Sequence, residues 1–339
     1  MSFAIESSVE LGGGVMKKKV SSSLASIVAM LNDGEYHDGT SIGAKLKMTR
    51  SAVWKAIKKL QNYGIKIDSI KVKGYALQEP LILLNKKQIK QHLQNQQVSI
   101  DIFETLPSTN EYLKNFCRDK KHRVCLAEQQ TKGKGRLNRT WHSPFGKNLY
   151  FSFLFPLEKD FSELSGLSLV VGLAVVKTLE HFYPSKELAV KWPNDIICQQ
   201  KKLAGSLIEV QAETNGICHT IIGIGINVNM LEDEEKNITQ PWTSLRKLTG
   251  KNIDRNQLCA LLIDNLAMYL EKFEEKGLTH FLEKWKSVDS LYDKNITLKC
   301  VNKKIQGQVK GVSEQGHLLL QLENGVIQAF SSGDASILK

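Results

Sequence analysis

Apolar residues recur at Leu24, Ile27, Val28 and Leu31, the spacing of one helical face, and Asn32-Asp33-Gly34 ends the run. Asp38-Gly39-Thr40-Ser41 opens a second short helix through Ile42, Ala44 and Leu46. Thr49 is placed to cap a third, whose buried stripe is Val53, Ile57 and Leu60. Residues 65–77 alternate in the strand manner and predict a hairpin. Residues 80–85 read as a link and 86–94 as a helix. From about 98 to 273 both periods appear. Strands are expected over 100–106, 124–128 and 149–155, and a long amphipathic helix over 167–183. A helix over 112–116 follows the capped start Ser108-Thr109-Asn110-Glu111. Pro193 confines its strand-like run to an edge, a bulge or a turn. From 295 to 338 short alternating runs and the turn Glu323-Asn324-Gly325 predict a small β-barrel.

A chain of 339 residues fits two or three domains, divided here as a disordered lead over 1–15, then 16–80, 81–288 and 289–339. No apolar run approaches the ~18 residues of a membrane span. The six cysteines form no CxxC pair and the eight histidines show no ligand spacing. A reducing, cytoplasmic setting is expected, with no metal held by protein side chains. Residues 1–15 do not resemble a signal peptide, and Met16 is a candidate start. The net charge of +11 is uneven: Met16 to Leu77 holds twelve Lys/Arg against four Asp/Glu.

That localised field points to a polyanion. The outer face of the third helix carries Arg50, Ser51, Lys55, Lys58 and Lys59, and the hairpin carries Lys71 and Lys73. Helix, short helix, turn, cationic helix and hairpin is the order of a winged helix-turn-helix, whose last helix suits the DNA major groove. The alternative is a helical module with merely solvated lysines. The coincidence of basic face, caps and wing favours DNA.

A second concentration of chemistry lies between 108 and 229. Gly133-Lys134-Gly135-Arg136-Leu137-Asn138-Arg139-Thr140-Trp141 alternates glycines, which let a backbone approach a bulky anion, with cations that oppose its charge. The start at Ser108 presents free N–H groups and a hydroxyl. Lys191, Asn194 and Asp195 collect around Pro193, and Lys202 precedes a strand. Gly223 and Gly225 share one face of their strand, a flat bed for a ligand. Each has a plainer reading: a surface lysine, a helix cap, glycines admitting a packed helix. Together they describe a site for a small acid activated through a nucleotide phosphate.

The motifs Ser108-Thr109-Asn110, Gly133 to Trp141 with Ser143-Pro144-Phe145-Gly146 and Asn148-Leu149-Tyr150, Lys191-Trp192-Pro193-Asn194-Asp195, Lys202-Leu203-Ala204-Gly205 and Gly223-Ile224-Gly225-Ile226-Asn227 stand in one order. The chain, from about Met16 to Lys339, resembles the bifunctional biotin protein ligases that also repress the biotin operon. The resemblance implies a multidomain α+β protein: a winged helix-turn-helix, a central α/β domain of the class II synthetase-like kind and an SH3-like C-terminal β-barrel. It implies activation of biotin by ATP with Mg²⁺ to biotinyl-5′-AMP, then transfer to the biotin carboxyl carrier protein of acetyl-CoA carboxylase. By resemblance Ser108, Thr109, Asn110 and Gln130 meet the polar ring of biotin, lined by the backbone of Gly133, Gly205, Gly223 and Gly225. Arg136 and Lys202 hold the carboxylate and α-phosphate, with Lys134 close by and Lys191 near the phosphates. Asn227, Trp242 and Lys339 serve the nucleotide, and an acidic segment over 231–241 orders over adenine. Asp195 either orients the acceptor amine or caps a turn.

The family loop usually reads Gly-Arg-Gly-Arg-Arg-Gly-Arg. Here Leu137-Asn138 replace its second Arg-Gly and Lys134 an arginine, which bears on loop closure, adenylate retention and dimerisation. The resemblance also implies an adenylate-bound homodimer on operator DNA and no membrane. Three other readings are a biotin sensor that no longer ligates, a lipoate-type acyl ligase, and a ligase whose winged helix is vestigial.

Overall fold

The structure is a computed structural model that describes residues 18–19, 22–94, 97–117, 121–157, 159–212, 218–233, 237–300 and 303–338. The lead over 1–15, the candidate start Met16 and Lys339 lie outside the described residues.

A two-residue strand, β1 (Lys18–Lys19), precedes three helices: α1 (Ser22–Leu31), α2 (Gly39–Leu46) and α3 (Arg50–Asn62). Asp38 caps α2 by accepting from the N–H groups of Thr40 and Ser41, and Thr49 caps α3 through Ala52 N–H. The expected stripes form their core: Leu24, Ile27, Val28, Leu31, Ile42, Val53, Ile57 and Leu60 are all buried. β2 (Ile67–Ile70) and β3 (Gly74–Leu77) make the wing, with exposed Lys71, Val72 and Lys73 at its tip.

After α4 (Lys86–His92) come β4 (Ser99–Leu106), α5 (Thr109–Leu113), β5 (Arg123–Gln130), β6 (Leu149–Leu157), α6 (Leu167–Leu179), β7 (Ala189–Lys191), β8 (Asp195–Cys198), β9 (Lys201–Ala212) and β10 (Cys218–Ile226). The strands form one sheet in the order β1-β4-β5-β6-β10-β9-β8-β7, antiparallel except for β4 with β5. On β5, Val124 and Leu126 enter the main core while Cys125 and Ala127 enter a smaller one with Leu113 of α5. Both faces are covered, so β5 reads as an unbroken apolar run rather than an alternation. The chain continues through α7 (Leu245–Thr249), α8 (Arg255–Lys276) and α9 (Leu282–Lys286).

Two expectations change here. The helix expected to be amphipathic over 167–183 ends at Leu179 and is buried on almost every side, packed on α8 and the sheet. The short helix begins at Thr109, and residues 114–116 tighten into a 3₁₀ turn. Ser108 makes no side-chain cap bond there, and the Thr109 N–H is taken by Gln130 Oε1 at 2.9 Å.

β11 (Asn295–Lys299), β12 (Lys304–Val312), β13 (Leu318–Gln321), β14 (Ile327–Phe330) and β15 (Asp334–Ile337) form an antiparallel sheet in the order β14-β13-β12-β11-β15. Among the described residues its two ends do not pair, so a closed barrel is not seen.

The link over 80–85 is pinned. Arg255, wholly buried, donates to the Ile82 carbonyl, to Asn148 O at 3.0 Å and to Glu128 Oε2 at 2.7 Å. Glu128 Oε1 accepts from Leu84 N–H at 2.6 Å. A buried ion pair holds only when its remaining hydrogen-bonding groups find partners, as they do here. Tyr63 at the end of α3 stacks on Phe145, centroids 4.2 Å apart. The spacing along α3 predicts Lys59 on the DNA face. It turns to Glu104 on β4 instead, because that carboxylate is buried and needs a partner.

Candidate active site

A cleft of about 600 Å³ opens over β5, β9 and β10. Its floor is β10, where Ile222, Ile224 and Ile226 point into the core and Gly223 and Gly225 face the cleft. The glycines are required. A Cβ on Gly223 would lie 2.4 Å from Asn110 Oδ1, and one on Gly225 would lie 2.3 Å from the Trp141 ring. The bed is therefore not bare: the start of α5 and the loop tryptophan already rest on it.

The helix start forms one end. Thr109 and Asn110 are buried, and Ser108 lines the cleft beside them. Gln130 Oε1 accepts from the N–H of Thr109 at 2.9 Å and lies 3.1 Å from its hydroxyl oxygen. Gln130 Nε2 lies 3.4 Å from Ser143 Oγ, whose proton goes to Trp141 O at 2.9 Å. Gly133 lies behind this network. A Cβ there would strike Trp141 O and Ser143 Oγ, so it supports the loop and is absent from the lining.

The basic loop covers the cleft, and each of its cations has a tie. Lys134 Nζ pairs with Glu111 at 2.6 Å, Arg136 Nη1 donates to Asn194 Oδ1 at 3.1 Å, and Arg139 pairs with Asp334 of the C-terminal sheet. Burial pushes the Arg136 guanidinium pKa below its ordinary value, against the opposing pull of Asp334 and Asp195. Leu137 and Asn138 adopt φ of 54° and 58°, which let the chain reverse so that Gly135 N–H meets Arg139 O at 2.7 Å. Left-handed backbone costs a leucine about 1–2 kcal/mol, and Leu137 is 66% exposed, so packing does not offset it.

At the other end Lys202 Nζ bonds Asp195 Oδ1 at 2.8 Å and lies 5.3 Å from the Trp141 ring centre. Asp195 thus acts first as the partner of Lys202. Asn227 Nδ2 donates to Thr243 O at 3.0 Å, which holds the 242–243 segment against β9. Trp242 lines the cleft with Lys247 Nζ 3.4 Å from its ring centre. Lys191 stands in register with Asp195 on the edge hairpin but does not line the cleft. Sequence reasoning named Asn194 within its motif but missed Asp334, which lines the cleft, and Ser152, buried beneath it. Nothing in the local pattern marks either of those two.

Cations and a polar head pocket meeting over a glycine floor can bring two anions together at one site. A biotin/lipoate A/B protein ligase family model matches residues 102–227, an HTH domain model matches 24–76 and a biotin protein ligase C-terminal domain model matches 293–338. The bifunctional ligase/repressor BirA of Escherichia coli is 38% identical over 312 residues, covering 92% of this chain and 96% of that protein. This chain belongs to the bifunctional ligase/repressor family. The BirA of Bacillus subtilis is 30% identical over 88% of this chain and 93% of its own. Among solved structures, the Aquifex aeolicus biotin protein ligase in complex with biotin and ATP superposes with a TM-score of 0.62 at 35% identity, covering 71% of this chain and 99% of that one. The family's three units, helix-turn-helix, ligase and C-terminal domain, match the three regions of the fold in order.

Proposed function

We propose that this chain activates biotin with ATP to biotinyl-5′-AMP and passes the biotinyl group to a lysine of a biotin carboxyl carrier protein, with residues 81–288 as the catalytic unit. The observation that carries this reading is the convergence of Arg136 and Lys202 on one cleft whose far end is the Thr109–Gln130 head pocket. A biotin carboxylate oxygen attacks the α-phosphorus and pyrophosphate leaves. The acceptor amine then attacks the acyl carbon and AMP leaves. Negative charge grows on the phosphoryl and acyl oxygens, where Arg136 and Lys202 already stand, so these cations need little rearrangement. Asp195 holds the Lys202 ammonium in place, and Asn227 and Trp242 form the nucleotide end. In the second step proximity does most of the work.

Among the described residues no cluster of acid, His or Cys side chains could hold a metal ion, and the cleft acids Asp195 and Asp334 are tied to Lys202 and Arg139. Mg²⁺ would therefore enter on the phosphates of ATP. No helix among the described residues is long and apolar enough to cross a membrane, and a cytoplasmic site of action fits this chemistry.

The winged helix is assigned to operator DNA, read by an adenylate-bound homodimer. Labelled biotin, ATP and a carrier domain test the ligase, with lipoate as control. Biotin transfer without lipoate transfer is expected, and the reverse pattern would reassign the substrate. In the same preparation, sedimentation should shift toward dimer on adding biotinyl-5′-AMP; no shift overturns the regulatory half.

A further inference from the structure

Ser152 lies on β6 directly opposite Gly223 and is wholly buried. Its Oγ is 2.5 Å from Asn110 Oδ1 and 2.6 Å from Thr109 Oγ1. One hydroxyl proton cannot serve both contacts, so a proton inventory decides the directions. Asn110 Nδ2 reaches Glu209 Oε2 at 2.8 Å and Leu207 O at 3.3 Å, two groups that only accept. The Asn110 amide is therefore fixed with Oδ1 toward Ser152, and Oδ1 can only accept. Ser152 must give its proton to Asn110. The 2.6 Å contact is then a hydrogen bond only when the Thr109 hydroxyl donates to Ser152. Gln130 Oε1 keeps its bond from the Thr109 N–H. Two hydroxyl protons serve three oxygen–oxygen contacts: this arrangement leaves bare only the longest, Thr109 Oγ1 to Gln130 Oε1 at 3.1 Å, whereas any other leaves a bare pair at 2.5 or 2.6 Å, which costs more in a buried network.

With its proton turned inward, Thr109 offers the cleft lone pairs only. We propose that Ser152 is a positioning residue that fixes Thr109 as a hydrogen-bond acceptor, so that the head pocket selects a ring bearing an N–H. A cyclic urea carries two such donors, whereas a dithiolane ring carries none. This rests on the biotin reading and gives it a cause: the buried serine one layer below the pocket sets the polarity that favours biotin over a sulfur ring of similar size. Without Ser152 the Thr109 hydroxyl is free to swing its proton toward Gln130 or into the cleft, and the acceptor is no longer enforced.

The test is calorimetric binding of biotin, its two mono-N-methyl ureido analogues and lipoate to the full chain and to Ser152→Ala. In the wild type, methylation of the nitrogen facing Thr109 should weaken binding by about ten-fold or more, the effect of an unmet buried acceptor. In Ser152→Ala, biotin should weaken while that analogue changes little, so the ratio between them collapses. The affinity for ATP should change little, while the thermal midpoint should fall because Asn110 Oδ1 loses its buried donor. Ser152→Cys, near in volume and a weaker donor, should give an intermediate ratio and serves if the alanine variant folds poorly. A merely structural role would weaken biotin and both analogues alike. Unchanged ratios in both variants, with normal wild-type biotin binding, overturn the assignment alone. Absence of wild-type biotin binding overturns the ligase reading and this assignment together.

Discussion

Two regions of this molecule present cations, and they are built in opposite ways. Over the cleft, Lys134, Arg136, Arg139 and Lys202 each engage a carboxylate or an amide from a different part of the fold. On α3, Arg50, Lys55 and Lys58 are exposed and carry no ion pair among the described residues. The first arrangement holds charge at fixed points before the ligand arrives, which suits one anion of defined shape. The second leaves long side chains free to meet phosphates along a polymer, where displaced counterions supply much of the binding energy. The same residue types thus serve geometry in one place and field in the other. Lys59 marks the boundary: it lies on α3, yet its tie to Glu104 places it with the fixed cations.

The sharpest way to break the contrast is Arg136→Ala. Removing a preorganised charge from the reacting end should lower adenylate formation by about 10²–10³-fold, measured by pyrophosphate release. A loss under about five-fold would show that the fixed cations are not catalytic. Next comes Lys55→Ala with Lys58→Ala. DNA affinity should fall, and the slope of log affinity against log salt should shrink by up to about two, one for each phosphate no longer neutralised. Carrier biotinylation by that double variant should be unchanged, and a matching fall would erase the separation between the regions. The smallest effect belongs to Glu111→Gln. Hydrogen bonds from Lys134 and Lys114 hold the Glu111 carboxyl below its ordinary pKa. Its tether is therefore complete above the ordinary carboxylate range and is lost as pH falls through the lowered value. This partly exposed pair is worth less than about 1 kcal/mol, so adenylate retention at neutral pH should drop by less than about five-fold. Retention in the variant should lose the acid-side dependence that the wild type shows.

Periodicity and caps are local, which is why Asp38 and Thr49 and the wing hairpin are legible along the chain, as are the alternating glycines of β10. The motifs carrying Thr109, Arg136 and Lys202 also stand out, and the fold brings them to one cleft with Gln130, which only the family resemblance singles out. Long-range pairing is not legible in this way. Arg139 with Asp334 spans 195 residues and Arg255 with Glu128 spans 127, so neither leaves a mark on any neighbouring position. Lys191 shows the reverse case: it sits in a strong motif, yet the register of β7 with β8 takes it out of the cleft. The near-complete burial of α6 likewise depends on α8, which lies far along the chain.

The pin formed by Arg255, Glu128 and the 82–84 backbone has a metric consequence. A winged helix on a slack tether could slide to fit half-sites at many spacings. One bolted to a catalytic body through three backbone hydrogen bonds and the Tyr63–Phe145 stack instead carries a fixed phase relative to the cleft. The enzyme's own architecture then acts as a ruler. In the dimer proposed above, lengthening residues 80–85 by one should alter which operator spacing is read before it alters how tightly any single half-site is held.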